Sequence, residues 1–226
     1  EIRDLNEKLV EIDKRRSTIL KTIEEQGKLT PELKKKIEEA ETLTALEDLY
    51  LPFKPKKKTR ASIAKEKGFE PLAAIIMKQK ELNITGKAEE FINDEVADVE
   101  AALQGARDII AEWISENKRA RDSVRYHFSR EAVIYSKLAK GKEEEGIKYK
   151  DYFEFSEKLS RCPSHRILAM RRGEDEGFLK LSIEPDEEKV IEGLEEQFVK
   201  GFYDVSEQVR LAIKDSYKRL LHPSIE

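Results

Sequence analysis

Cysteine is almost absent from this sequence. Cys162 stands alone, which excludes an internal disulfide and any metal site built from several cysteines, and fits a reducing compartment. Long hydrophobic runs are missing too: no stretch of about 18 apolar residues offers a membrane span. The opening EIRDLNEKLV has no apolar signal-peptide core. The expectation is a soluble, cytoplasmic chain with no membrane partner. Glycine and proline are scarce, 10 and 7 in 226 residues, which favours long helices over loop-rich architectures. No Walker A pattern and no GxGxxG occurs, so the usual phosphate-cradling loops are lacking.

Catalytic constellations are equally thin. His127, His165 and His222 have no second His, Cys or carboxylate at a familiar metal-ligand spacing. Ser164 and His165 lie near Cys162, but nucleophile and base are paired by folding and not by adjacency in sequence. No catalytic residue, cofactor, metal or small-molecule substrate is expected.

What the chain has is charge. Asp, Glu, Lys and Arg make up 40% of it, against roughly 25% in an average globular domain, and most of this belongs on solvated helix faces. The net charge of −4 conceals local asymmetry, with seven Lys/Arg against one Glu from Phe53 to Gly68, and seven Asp/Glu against one Lys from Glu184 to Glu196. A polyanion responds to a patch and not to a sum.

Periodicity predicts a mainly α fold, a multi-helix array with a short β element near 177–183. Leu5, Leu9, Ile12, Ile19 and Ile23 form the apolar stripe of a first helix running to about Gln26. Thr30-Pro31 starts a second, to about Glu41. Thr44-Ala-Leu-Glu47 reads as a capping box for a third, ending at Tyr50. Pro52 and Pro55 then impose an extended basic loop over 53–60. Further helices are expected over Ser62–Lys67, Glu70–Gln79 and Lys87–Ile92, then as a packed pair reaching Asn117 and Ala139. The Lys/Glu/Gly turn Gly141–Gly146 suggests a boundary between a helical region 1–140 and a second, mostly helical subdomain 141–226. In the latter, helices are expected near Ser164–Arg172, Asp186–Val199 and Val205–Leu221, with one strand at Phe178–Ile183.

Three basic clusters are candidates for phosphate contact. Lys54, Lys56, Lys57, Lys58, Arg60 and Lys65 follow prolines that keep the backbone extended, so long cationic side chains project outward. The alternative is a solvated loop paired with acidic helices. Arg121 and Arg125 share a helical face within Lys118–Arg130; such arginines also commonly pair with carboxylates across a bundle. Arg166 and Arg171 belong to a third cluster with Arg161, His165 and Arg172, in which Glu174, Asp175 and Glu176 can neutralise Arg171 and Arg172.

The segment Glu24–Ala73, containing LEDLYLPFKPKKKTR, resembles the region of Tex-family transcription accessory proteins where a helix pair leads into LEDLYLP and a basic KPK tract. PSHRILAMRRGEDEGFLKLSI, Pro163–Ile183, is similar to the family's PSHRxLAxxRGExEGxL segment, and YKRLLHPSIE, Tyr217–Glu226, to its last helix before a ribonuclease-H-like domain. The resemblance implies that the chain is a fragment. It implies a helix-turn-helix region beginning upstream, and downstream a ribonuclease-H-like domain without a working nuclease site, helix-hairpin-helix repeats and an OB-fold RNA-binding domain. The implied function is non-catalytic: a transcription accessory scaffold, with RNA or DNA and the transcription machinery as partners, nucleic acid being held with help from domains outside this chain. A purely structural, protein-interaction scaffold is the alternative.

Overall fold

The computed structural model describes residues 2–55, 58–93 and 96–226, with side chains from residue 7 onward. It is mainly helical with one small sheet. The chain divides into two compact units, Glu1–Thr59 with Glu116–Lys118, and Arg60–Ser115 with Arg119–Glu226. The segment Gly141–Gly146 lies inside the second.

In the first unit, α1 (Ile2–Glu25) packs against α2 (Pro31–Glu38) and α3 (Leu43–Tyr50). Ile19 and Ile23 are fully buried with Ile37 and Leu46, whereas Leu9 is 51% exposed. Of the described stripe residues, Ile12 packs at the edge of this cluster and Leu9 lies outside it. At 1.5 Å per residue, eight-residue partners cover about 12 Å of a helix roughly three times as long. Thr30 caps α2 by accepting the Leu33 N–H at 3.2 Å, as Thr-Pro predicts. Arg16 closes the far end, donating to the carbonyls of Ile37 at 3.2 Å and Ala40 at 2.8 Å.

The cap of α3 differs from expectation. Thr42, in extended conformation, accepts the Ala45 N–H at 3.1 Å, and Thr44 lies within the first turn. Glu47 does not return to the helix start, because Arg15 takes its carboxylate at 2.5 Å. A charge-assisted bond outcompetes a neutral amide donor. A 3₁₀ turn, Leu51–Phe53, follows.

The second unit contains α4 (Arg60–Glu66), α5 (Glu70–Lys78), α6 (Ile84–Glu89), α7 (Val99–Glu116) and α8 (Lys118–Glu131). Asn83 caps α6, accepting the Gly86 N–H at 2.9 Å, which moves that helix ahead of its expected position. The core gathers Leu72 and Ile76 of α5, Ile109, Ile110 and Ile114 of α7, and Val124 of α8. Gly105 has a specific role here, since a Cβ at that position would lie 2.2 Å from the Phe69 ring.

After α8 the chain departs from the expected helix and forms β1 (Val133–Leu138). With β2 (Glu154–Lys158) and β3 (Leu179–Glu184) it makes an antiparallel sheet of order β2-β1-β3. Val133–Leu138 is rich in β-branched and aromatic residues, and alternation puts Ile134 and Ser136 inside while Tyr135 and Lys137 face out. Between β2 and β3, α9 (Ser164–Asp175) packs on the sheet. Gly173 permits this approach, because a Cβ there would meet Leu179 Cδ1 at 2.6 Å. The outer edge of β3 is closed by carboxylates: Glu174 accepts the Leu181 N–H at 3.2 Å and Glu226 accepts the Ile183 N–H at 2.8 Å. Capping an edge in this way blocks unwanted strand pairing.

Asp186 caps α10 (Glu187–Phe198). It is followed by α11 (Asp204–Ser216), a π-helical turn Tyr217–Leu221 and α12 (His222–Ile225). Val209 and Ile213 of α11 and Val190 and Leu194 of α10 complete the core.

Candidate nucleic-acid interface

A cation serves a phosphate only if its charge is exposed and not already neutralised. In the first unit, Lys54 follows the 3₁₀ turn and is exposed; Lys58 is exposed as well and is itself engaged in an interaction. Lys56 and Lys57 lie outside the described residues.

In the second unit, Arg60 opens α4 and faces a cleft of about 670 Å³ lined also by Glu100, Gln104, Arg107, Asp108, Leu211 and Asp215. Its charges cancel internally. Arg107 is buried and donates to Gln208 at 2.6 Å and Gln104 at 2.8 Å, and it also pairs with Glu100. Arg219 holds Asp215 at 2.5 Å and lies 3.8 Å from Asp108. Burial pushes the Asp108 carboxyl above its ordinary range, against the opposing pull of Gln104, Arg219 and Arg60. Three carboxylates in the lining make this cleft a poor seat for a polyanion. Lys65 is turned toward Glu112, 3.4 Å away and buried.

The expectation for α8 is corrected at Arg121. That side chain is buried, donating to the Ser115 carbonyl at 3.3 Å and the Ser224 hydroxyl at 3.1 Å, so it ties α8 to the end of α7 and to α12. Arg125, one turn on, stays partly exposed and sits 3.5 Å from Asp122.

In the third cluster Arg171 meets one of the carboxylates that the sequence offers it, and Arg166 has a separate partner. Arg171 is exposed and pairs with Glu174 at 2.7 Å. Arg166 reaches Glu157 on β2 at 2.9 Å and lies over the Phe155 ring at 5.9 Å, which makes it a strut between α9 and the sheet.

The three histidines do not converge. His222 Nε2 is 2.8 Å from Glu184 and His127 Nδ1 is 3.4 Å from Glu131. Among the described residues no group of three His, Cys, Asp or Glu side chains is arranged to hold a metal ion. Burial and the neighbouring Glu157 raise the Cys162 thiol, opposite to what an activated nucleophile needs. Among the same residues no helix is long and apolar enough to cross a membrane.

Sequence reasoning missed a different set of cations. Lys137 on β1, Lys158 on β2 and Lys180 on β3 are all exposed on the sheet. The signal for Lys137 was present in the alternation of VIYSKL, which the reading of residues 118–139 as helix concealed, and Lys180 lies in the FLKLSI strand that the alternation does show.

The similarities to known proteins agree with the motifs. Residues 79–219 match a family model described as Tex central region-like. The chain is 47% identical over 167 residues to Protein tex of Bordetella pertussis, an alignment covering 73% of this chain and 21% of that protein. It is 39% identical over 213 residues to the Transcriptional accessory protein Tex of Neisseria gonorrhoeae, covering 92% and 28% respectively. A more distant likeness, 26% over 247 residues, reaches the human S1 RNA-binding domain-containing protein 1, with 99% of this chain and 24% of that protein covered. The chain thus spans between 21% and 28% of the length of these curated relatives.

Proposed function

We propose, from the premise that this chain belongs to the Tex family by its central region, that it is a non-catalytic scaffold of a transcription accessory protein. On this reading it adds sequence-independent phosphate contacts to nucleic-acid binding by the whole protein. The family assignment supplies the process, since one relative is named a transcriptional accessory protein and another an S1 RNA-binding domain-containing protein.

The observation that carries the phosphate-contact reading is the exposure of Lys54 and Lys58 in the first unit. Together with Lys56 and Lys57, prolines at positions 52 and 55 and the absence of acidic residues from 51 to 60, this segment has the composition of a backbone-tracking contact. Neutralising about five phosphates makes log K fall with log salt at a slope of roughly −4.5, a loss of several hundredfold between about 50 and 200 mM salt. Filter binding with this chain measures that slope. Changing Lys54, Lys56, Lys57 and Lys58 to Ala is expected to flatten it by about 3 to 4. An unchanged slope overturns the assignment of the loop.

A second reading, a purely structural or protein-interaction scaffold, is favoured by the engagement of Arg121, Arg166 and Lys65 in internal contacts. It also has a candidate surface in Glu188, Glu192 and Glu196, exposed on α10. It predicts a flat salt response of the wild-type chain toward nucleic acid.

A further inference from the structure

We propose that the outer face of the three-stranded sheet binds single-stranded nucleic acid, with a base stacked on Tyr135 and phosphates held by Lys137, Lys158 and Lys180. The inference rests on the nucleic-acid reading above and names the strand type and surface within it.

Register alone assembles this face. Tyr135 is opposite Ser156 on β2 and Ser182 on β3. Directly opposed residues in antiparallel strands project to the same side, so Tyr135 is flanked on both sides by small hydroxyl residues that leave part of its side chain open to solvent. It is 38% exposed, and no hydrogen bond or ring contact engages it among the described residues. The Tyr135–Lys137 ridge separates two shallow grooves of about 470 Å³ each, one toward Phe153–Ser156 and the other toward Lys180–Ser182 and Glu184.

Among the paired strand residues on this face, three lysines outnumber two carboxylates. Lys137 faces Lys180 on β3 and Glu154 on β2, while Val133 faces Lys158 on β2 and Glu184 on β3. These two rows lie about 6.7 Å to each side of Tyr135 along the strand. None of the three lysines makes an ion pair with a described residue, and Glu184 is engaged by His222 at 2.8 Å. Two lysines directly opposed across a ladder work against folding. A ligand that brings negative charge removes that repulsion.

The same features select a single strand. A duplex hides its bases from a protruding ring, whereas an unpaired base offers a π-face that an aromatic side chain accepts irrespective of sequence. A protein partner fits less well, because Tyr135 is the one large apolar side chain exposed on this face among the described residues and an interface core needs several.

Fluorescence anisotropy with this chain tests the proposal, using labelled oligouridylate and oligothymidylate of about 12 nucleotides and a duplex of matched length. Tyr135→Ala is expected to weaken both single strands roughly tenfold and to leave the duplex unchanged. Tyr135→Phe keeps the ring and is expected to bind like the wild type. Lys137→Gln with Lys180→Gln is expected to reduce the single-strand salt slope by about 1.4. Preference for one oligonucleotide over the other tells RNA from DNA as the source of the strand. If Tyr135→Ala disturbs folding by circular dichroism, Tyr135→Thr, which retains strand propensity, takes its place.

Unchanged single-strand affinity in the Tyr135 variant, with a loss in the Lys54–Lys58 variants, overturns the sheet-face site and leaves the phosphate reading standing. Equal loss in Tyr135→Phe and Tyr135→Ala overturns stacking. No salt-dependent binding by the wild-type chain overturns both.

Discussion

The side-chain amide of Gln79 donates to the main-chain carbonyl of Phe198 at 2.7 Å, joining the end of α5 to the end of α10. Its oxygen simultaneously accepts the Lys200 N–H at 2.8 Å. Gln79 is buried and adopts a left-handed backbone, φ 54°, a conformation that residues other than Gly, Asn and Asp seldom take. The local cost is offset by two bonds that hold the loop carrying Phe202, which is 96% exposed.

Gln79→Ala loses both bonds and keeps the unfavourable backbone, so it is expected to cost about 2 kcal/mol of stability. Gln79→Gly loses the same bonds but relieves the left-handed penalty, and its cost is expected to be about 1 kcal/mol smaller. Urea denaturation of the two variants measures the difference. Equal midpoints count against backbone strain at this position.

Arg121 gives the sharpest separation of stability from binding. Its guanidinium is buried between Ser115 and Ser224, so Arg121→Ala leaves acceptors unpaired and is expected to destabilise by about 2 kcal/mol. The salt slope of nucleic-acid binding is expected to stay at the wild-type value under conditions where the variant is folded. A shallower slope in a fully folded variant means that Arg121 reaches a phosphate.

Gly105→Ala is expected to destabilise by about 1 to 3 kcal/mol, because the new methyl group must displace the buried Phe69 ring. Combining it with Phe69→Leu, which vacates ring volume, is expected to recover part of the loss. Thermal melts of the single and double variants report this coupling.

Asp108 predicts a pH dependence. Burial raises its carboxyl above the ordinary value of 3.8 in the folded state. The folded state therefore holds that proton more tightly than the unfolded state does. Above the raised value the folded protein carries a partly buried anion and stability is lower. Below 3.8 both states are protonated and the cost disappears. Asp108→Asn, which still accepts from Gln104, is expected to be more stable than wild type at neutral pH, with the advantage fading as pH falls toward 3.8. Denaturation midpoints across this range check the sign, and a less stable Asn variant at neutral pH means that the attraction of Arg219 outweighs burial.

Much of this molecule was determined by short-range chemistry that the sequence displays. The buried pair Ile19 and Ile23, the Thr30-Pro31 start of α2, and α5 beginning at Glu70 all depend on helix periodicity or capping within about four residues. The motifs LEDLYLP and PSHRILAMRRGEDEG led to the same family as the matching model. Local patterns also misled. Thr44 and Thr42 both precede a helical run, and the competition between Arg15 and a backbone amide for Glu47 involves residues 32 apart.

The tertiary structure alone decided which cations face solvent and which serve the fold. Arg121 and Arg125 are one turn apart and identical as residues, yet the first is buried by α7 and α12, whose positions no helical period encodes. The sheet face is the stronger case. Tyr135 meets Ser156 and Ser182 only because β1 pairs with strands 21 and 47 residues away, and long-range pairing is governed by loop closure and packing and not by nearest neighbours. Composition announced that this chain is basic in places; the register of three strands determined where three of its lysines surround a ring.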